Sequence, residues 1–276
     1  MSAIPRRRFL IEIGAAITAA HLNAFPLKLP LGFQSYDINA ALASDFDGAC
    51  RTLAGYGYKL IDYVWLPAVT AKTGKEVRRS FDAAGLACQN CHFSWSDLHE
   101  NYGKTTETAH ALGLESVVCQ SLPSQTKTVD GWKWHADHLN ELGRKTKRDD
   151  LLTGYHNHPT EFKEIDGVIP FDVLLHGTDP SLVKMQLDVG SVAVAGKDPV
   201  VYLTKYPDRY FSIHIKDVRD GKIGIAAGEG TLDWKKIFAA AKPLPLQNYV
   251  VETGARPDEV MEKLRQSVIY LRELES

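Results

Sequence analysis

Residues 154–162 read Gly-Tyr-His-Asn-His-Pro-Thr-Glu-Phe, with two imidazoles two positions apart and a carboxylate three residues later. The run just before, Leu151 to Tyr155, reads as a short buried strand. On a strand, residues i and i+2 share a face, so His156 and His158 point the same way and Asn157 the opposite way. Three later apolar runs also carry a metal-ligating type near their ends: Asp188 in "VKMQLDVG", His214 in "YFSIHIKD" and Glu252 in "NYVVETG". Two imidazoles and two carboxylates suit one divalent ion, Mn²⁺, Co²⁺, Zn²⁺ or Mg²⁺. Each residue has a plainer alternative. A strand-end histidine is often a hydrogen-bonded core residue, Asp188 could cap the following turn, and Glu252 could pair with a lysine. The four in register favour the metal, because a buried carboxylate pair without a cation is unfavourable.

Strands and helices must bring these residues together. Eight apolar runs recur about every thirty residues, the length of one β-α unit: 32–36, 59–65, 86–93, 116–122, 151–158, 183–190, 210–217 and 248–254. Helical patterns fall between and after them at 44–56, 74–84, 104–112, 131–146, 170–176, 198–207, 233–241 and 257–274. The last is the clearest, with Val260, Leu264, Val268 and Leu271 at helical spacing. Eight units predict a single (β/α)8 TIM barrel over 32–276, with 25–31 as a linker. A doubly wound open sheet is the alternative, but no glycine-rich phosphate turn follows an early strand. Parallel barrel strands are buried on both faces, so charge at their carboxyl ends needs a chemical reason.

Other residues fall near the same end. By alternation Lys216 faces the site and Asp217 does not; Lys216 is expected to bind a hydroxyl or stabilise an enolate. Glu161 is expected to contact substrate or orient a histidine. His92 ends the third strand, Glu229 sits in the loop after the seventh, and Trp65 and Trp95 follow the second and third. These are candidate substrate contacts, the tryptophans by stacking on a sugar face. No glycine-rich nest or arginine cluster marks a phosphate site, so the expected partner is an unphosphorylated small carbohydrate or polyol.

The N-terminus carries "PRRRFL" and then a short apolar stretch with small residues near Ala20 and Ala24. That order describes an export signal over residues 1–24, and Arg-Arg-x-Phe-Leu resembles the twin-arginine type. The expectation is an exported, periplasmic protein with no stable membrane insertion once the signal is removed. The formal charge is −2, becoming −4 without residues 1–24, and no basic block lies beyond the first ten residues. A nucleic-acid surface is therefore not expected. The four cysteines are Cys50, Cys88, Cys91 and Cys119. "CQNCH" matches a haem-attachment pattern, but it lies in a strand-like run, which favours a dithiol or an incidental spacing.

The motifs "GYHNHPTEF", "LDVGSVAVAGKDP", "HIKDV", "GEGTLDWKKIF" and "VVETG", in that order, make the chain similar to the xylose isomerase-like barrels. These include sugar phosphate isomerases/epimerases and endonuclease IV. The resemblance runs from about residue 32 to the C-terminus. It implies one divalent metal held by His156, Asp188, His214 and Glu252. His156 and His158 could exchange roles, since both point inward. The family's sugar epimerases have glutamate where this chain has His156. The resemblance implies isomerisation or epimerisation of a sugar through an enolate, with Glu252 as proton-abstracting base and His158 as its partner. Loss of one carboxylate raises the alternative of a lyase or dehydratase, such as an inosose dehydratase or a 3-keto-glycoside eliminase. A sugar-binding protein without catalysis is the non-enzymatic alternative.

Overall fold

The computed structural model describes residues 25–67, 71–123 and 127–274. The segment 1–24, with its export-signal expectation, lies outside them. Eight strands form the centre: β1 Leu31–Gln34, β2 Leu60–Val64, β3 Asn90–Phe93, β4 Ser116–Cys119, β5 Leu152–His156, β6 Val183–Asp188, β7 Tyr210–Ile215 and β8 Asn248–Val251. All pair in parallel, each with its sequence neighbours, and β1 closes on β8. The (β/α)8 barrel expected from the repeat is the observed fold.

Burial explains the strand sequences. β1, β2, β3, β4, β7 and β8 are buried along their whole length; the outward face is apolar, as with Phe33, Tyr63, Phe93 and Tyr249, and the inward face carries buried polar residues such as Gln34, Asp62, Asn90 and Asn248. The outward face packs on the helices, as where Tyr63 meets Phe81 and Phe46 edge-on. The inward face fills the barrel. One register shift between β6 and β7, at Met185/Gln186, places Phe211 against Gly154. Any side chain at Gly154 would come within 2.9 Å of the Phe211 ring.

Helix boundaries follow local chemistry. The pattern at 44–56 resolves into Phe46–Tyr56, because the Asp45 carboxylate caps it by accepting from Gly48 N–H. Thr73 and Glu76 form a capping box that starts Gly74–Ala84, and Gly85 ends it in the left-handed conformation. Short helices at Asn39–Ser44, Trp95–His99 and Val189–Val194 carried no periodic signal in the sequence. Among the described residues, no helix is long and apolar enough to cross a membrane.

All four cysteines are free and buried. Burial pushes the Cys50 and Cys119 thiols up to about 12 and raises those of Cys88 and Cys91 further. The Cys-x-x-Cys spacing is incidental to packing, and it carries no reactive thiolate at neutral pH.

Candidate active site

Four strand ends and the residues just beyond them build the site. His156 closes β5, and His158, two residues on, immediately precedes the 3-10 turn Pro159–Phe162. Their ring centroids are 5.0 Å apart, as same-face placement requires. Asp188 closes β6, and its Oδ1 and Oδ2 accept from the N–H and hydroxyl of Ser191, capping the helix Val189–Val194. The capping alternative and the site alternative are therefore compatible. His214 lies inside β7, Lys216 follows its end, and Glu252 follows β8.

The contacts among them are short. His214 Nδ1 is 2.7 Å from Glu252 Oε2. Lys216 Nζ is 2.8 Å from Asp188 Oδ2 and 2.6 Å from Glu252 Oε1. His156 Nε2 is 4.0 Å from Asp188 Oδ2. Asp37 fixes the chain beside Glu252 by accepting from Thr253 N–H at 2.6 Å and from Gly254 N–H. Burial and the nearby Glu252 charge raise Asp37 to about 6, against the pull of those backbone donors.

The sequence reading missed Asp62, the third residue of β2. Its Oδ2 lies 2.9 Å from His214 Nε2 and 3.1 Å from His92 Nε2, and it accepts from Gln186 Nε2 at 2.9 Å. Gln34 Nε2 reaches the same oxygen at 3.3 Å. Asp62 thus orients His214 from behind, with Nδ1 left toward Glu252. A carboxylate behind an imidazole is the usual support of a metal-ligating histidine. The available signal was an acid in the middle of an otherwise apolar strand, "KLIDYVW".

Electrostatics divide the cluster. Burial disfavours the charged form of His214, yet Asp62 and Glu252 on its two sides raise it to about 9. Burial likewise raises Asp62, but His92 and His214 outweigh it and hold the carboxyl at about 2. Lys216 stays an ammonium: Asp188 and Glu252 overcome its desolvation. Burial works against the Glu252 anion, and Lys216 and His214 hold it well below the usual carboxylate range. His156 is driven far down by burial, with His214, His158 and His92 adding to the effect, so it is neutral. His158 is lowered by burial but raised more by Glu161, and ends above its ordinary 6.5.

The other expected contacts are distributed unevenly. Glu161 sits behind His158, 3.6 Å from its Nδ1, and accepts from Tyr155 and Thr160 hydroxyls at 2.7 Å. His92 joins the cluster but is buried, its Nε2 2.8 Å from Gln186 Oε1, so it does not front the mouth. Glu229 does not join it: its carboxylate meets Lys263 at 2.8 Å and takes the Ala226 N–H, bracing the loop against the last helix. Trp65 packs edge-on against Tyr63 and tilted over Phe93, as part of the wall. Trp95 stacks on His99 at 3.6 Å, which occupies one face of its ring. Asp217 faces away, as alternation requires, and collects the N–H groups of Gly228 and Gly230 and the Trp234 indole.

A nitrogen of His156 and an oxygen each of Asp188 and Glu252 lie within 4.8 Å of one another; nitrogens of His92, His156 and His214 form a second such group. His156 Nδ1 and Asp62 Oδ1 are buried without a partner. A neutral imidazole beside two carboxylates, with a bare buried nitrogen, is a donor set that fits a divalent ion.

A family model described as xylose isomerase-like TIM barrel matches residues 50–274. An inosose dehydratase of Clostridium beijerinckii is 37% identical, covering 83% of this chain and 88% of that protein. An inosose dehydratase of Clostridium tetani is 29% identical over 48% of this chain, and the match spans about half of that protein's length. Among solved structures, a sugar phosphate isomerase/epimerase of Parabacteroides distasonis superposes with a TM-score of 0.79 at 25% identity, covering 88% of this chain and 96% of that one. The IOLI protein, solved with a bound zinc atom, superposes at 0.66 and 15% identity, covering 90% and 99%, a likeness of fold alone.

Proposed function

Because the chain belongs to the xylose isomerase-like TIM-barrel family, we propose that it is a divalent-metal-dependent lyase that removes water, or an aglycone, from a keto-sugar or cyclic polyhydroxy ketone. The observation that carries this reading is the imidazole pair at the end of β5. His156 stands where a two-carboxylate epimerase needs an acid, and His158 beside it is a base that burial lowers and Glu161 raises more, above its ordinary value. The dehydratase relatives support the same choice. The sequence expectation ranked isomerisation first. The enolate is common to both reactions, and the Parabacteroides neighbour keeps isomerisation as the second reading.

His156, Asp188 and Glu252, whose donor atoms lie within 4.8 Å of one another, would hold the ion, and His214 would join them only once the proton between its Nδ1 and Glu252 Oε2 is lost. When bound, the ion supplies a Lewis acid for the carbonyl and the negative charge that develops next to it. The protein's own groups handle the protons. His158 is partly exposed toward the mouth, its side chain 43% accessible, and Glu161 stabilises its protonated form. It takes the α-proton, and the electron pair of the broken C–H bond delocalises into the carbonyl as an enolate. Collapse of the enolate expels the β-oxygen. The proton on His158 leaves with that oxygen, as water or an alcohol, so atoms and charge balance. Glu252, expected to be the base, suits that role less. Lys216 and His214 hold it anionic and weakly basic, which is the state of a ligand. Asp62 and Gln186 keep His92 and His214 in fixed orientations.

Export remains part of the reading, carried by the arginine-led N-terminus alone. Replacing Arg6, Arg7 and Arg8 by Lys should leave the protein inside the cytoplasmic membrane; unchanged export would contradict the twin-arginine type. The catalytic reading is tested with a panel of inososes, keto-sugars and 3-keto-glycosides in the presence of Mn²⁺ or Co²⁺. Elimination predicts an unsaturated product lighter by water or by the aglycone. A product of unchanged mass would overturn it in favour of isomerisation.

A further inference from the structure

We infer that the Asp188–Glu252 carboxylate pair seats one cation at a time: the Lys216 ammonium fills it until a divalent ion displaces that ammonium toward the barrel mouth. This rests on the metal reading above and specifies how the site is loaded.

The oxygens involved are the same for both cations. Asp188 Oδ1 is taken by the Ser191 N–H, and Glu252 Oε2 by His214 Nδ1. Asp188 Oδ2, which also accepts the Ser191 hydroxyl, and Glu252 Oε1 face Lys216 Nζ, at 2.8 and 2.6 Å. Asp188 Oδ2 is also the oxygen 4.0 Å from His156 Nε2, across the group able to hold an ion. An ion bound to those two oxygens at about 2.0–2.2 Å would share their space with the ammonium, and the two positive charges repel in a weakly screened interior.

The lysine is built into this seat. Its side chain lies against Gly190, where an added Cβ would come within 2.8 Å of Lys216 Cβ and Cγ and 2.5 Å of its carbonyl oxygen. Gly190 therefore makes room for the stem directly beside Asp188. A lysine stem has four rotatable carbons and a point charge with no fixed fork geometry, so the amine can leave while its backbone stays. Lys216 follows the carboxyl end of β7, the end of a barrel at which substrates bind, so a displaced ammonium would move toward the substrate space. Loading of the ion and delivery of a second positive charge to the substrate space are then one event.

The test uses the full chain, stripped of metal, and calorimetric titration with Mn²⁺ or Co²⁺. Lys216→Met and Lys216→Gln should each bind the ion at least about tenfold more tightly than the unmodified protein, with circular dichroism reporting an intact fold. A separate measurement needs no variant: reductive methylation read by peptide mass spectrometry. Lys216 should be protected without the ion and modified with it. Equal or weaker binding in both variants, or a Lys216 equally protected with and without bound ion, would overturn the inference and leave the metal reading standing. Absence of binding in all three proteins would overturn both together.

Discussion

Two polar layers lie inside the barrel, and they differ in kind. The lower one is neutral. Asn248 Oδ1 takes the Ser212 hydroxyl at 2.7 Å and the Asn90 amide at 3.3 Å, Asn90 Oδ1 takes the Ser116 hydroxyl at 2.8 Å, and Asn248 Nδ2 reaches Gln89 at 3.0 Å. The upper one is charged: Asp62, Asp188, Glu252, Lys216 and the histidines 156 and 214, with two buried atoms unpartnered. The two are stacked along the same strands. Ser212, His214 and Lys216 share one face of β7 and its extension, and Asn90 and His92 share one face of β3. A closed neutral network stabilises packing at little electrostatic risk. A charged layer with orphaned atoms is unfavourable to fold and is kept where a ligand completes it.

If the upper layer works and the lower one only holds, substitutions should separate them. Asp188→Ala should remove the ion and reduce turnover about a thousandfold or more, since a Lewis acid supplies several kcal/mol. Elemental analysis and kinetics measure both, and an unimpaired, metal-loaded variant would erase the distinction. His158→Gln should lower turnover by about a hundredfold or more while the ion stays bound. Full activity would move the base elsewhere. Asp62→Asn weakens the support behind His214, which Asp62 shares with His92, Gln186 and Gln34, so metal affinity should fall by about ten- to a hundredfold, read by titration. In the lower layer, Asn248→Ala leaves Asn90, Ser212 and Gln89 partners unmet. It should destabilise the fold by about 1–3 kcal/mol in urea unfolding with turnover nearly unchanged. A large loss of activity at preserved stability would show that the lower layer also works.

The barrel was legible because eight short apolar runs recur at the spacing of one β-α unit, with amphipathic helical patterns between them. The four strand-end ligand candidates were legible because imidazoles and carboxylates stand out at the ends of apolar runs, although Asp188 also caps the next helix and Glu252 also pairs with Lys216. Asp62 escaped because it lies mid-strand, where only the closed barrel shows that β2 and β7 face each other across the interior. Loop residues were least legible. Glu229 turns to Lys263 and Trp65 to the Tyr63–Phe93 wall through contacts that no periodicity encodes.

The base assignment carries the account and is open to one direct measurement: exchange of the substrate's α-proton with solvent deuterium as a function of pH, in the metal-loaded protein. His158 must be neutral to take that proton. Because Glu161 raises its pKa above 6.5, exchange should climb as pH rises through an ionisation above that value and then level. Glu161→Gln removes the stabilising charge and should shift the climb to lower pH. An exchange rate flat across this range, or one that persists undiminished in His158→Gln, would contradict the account.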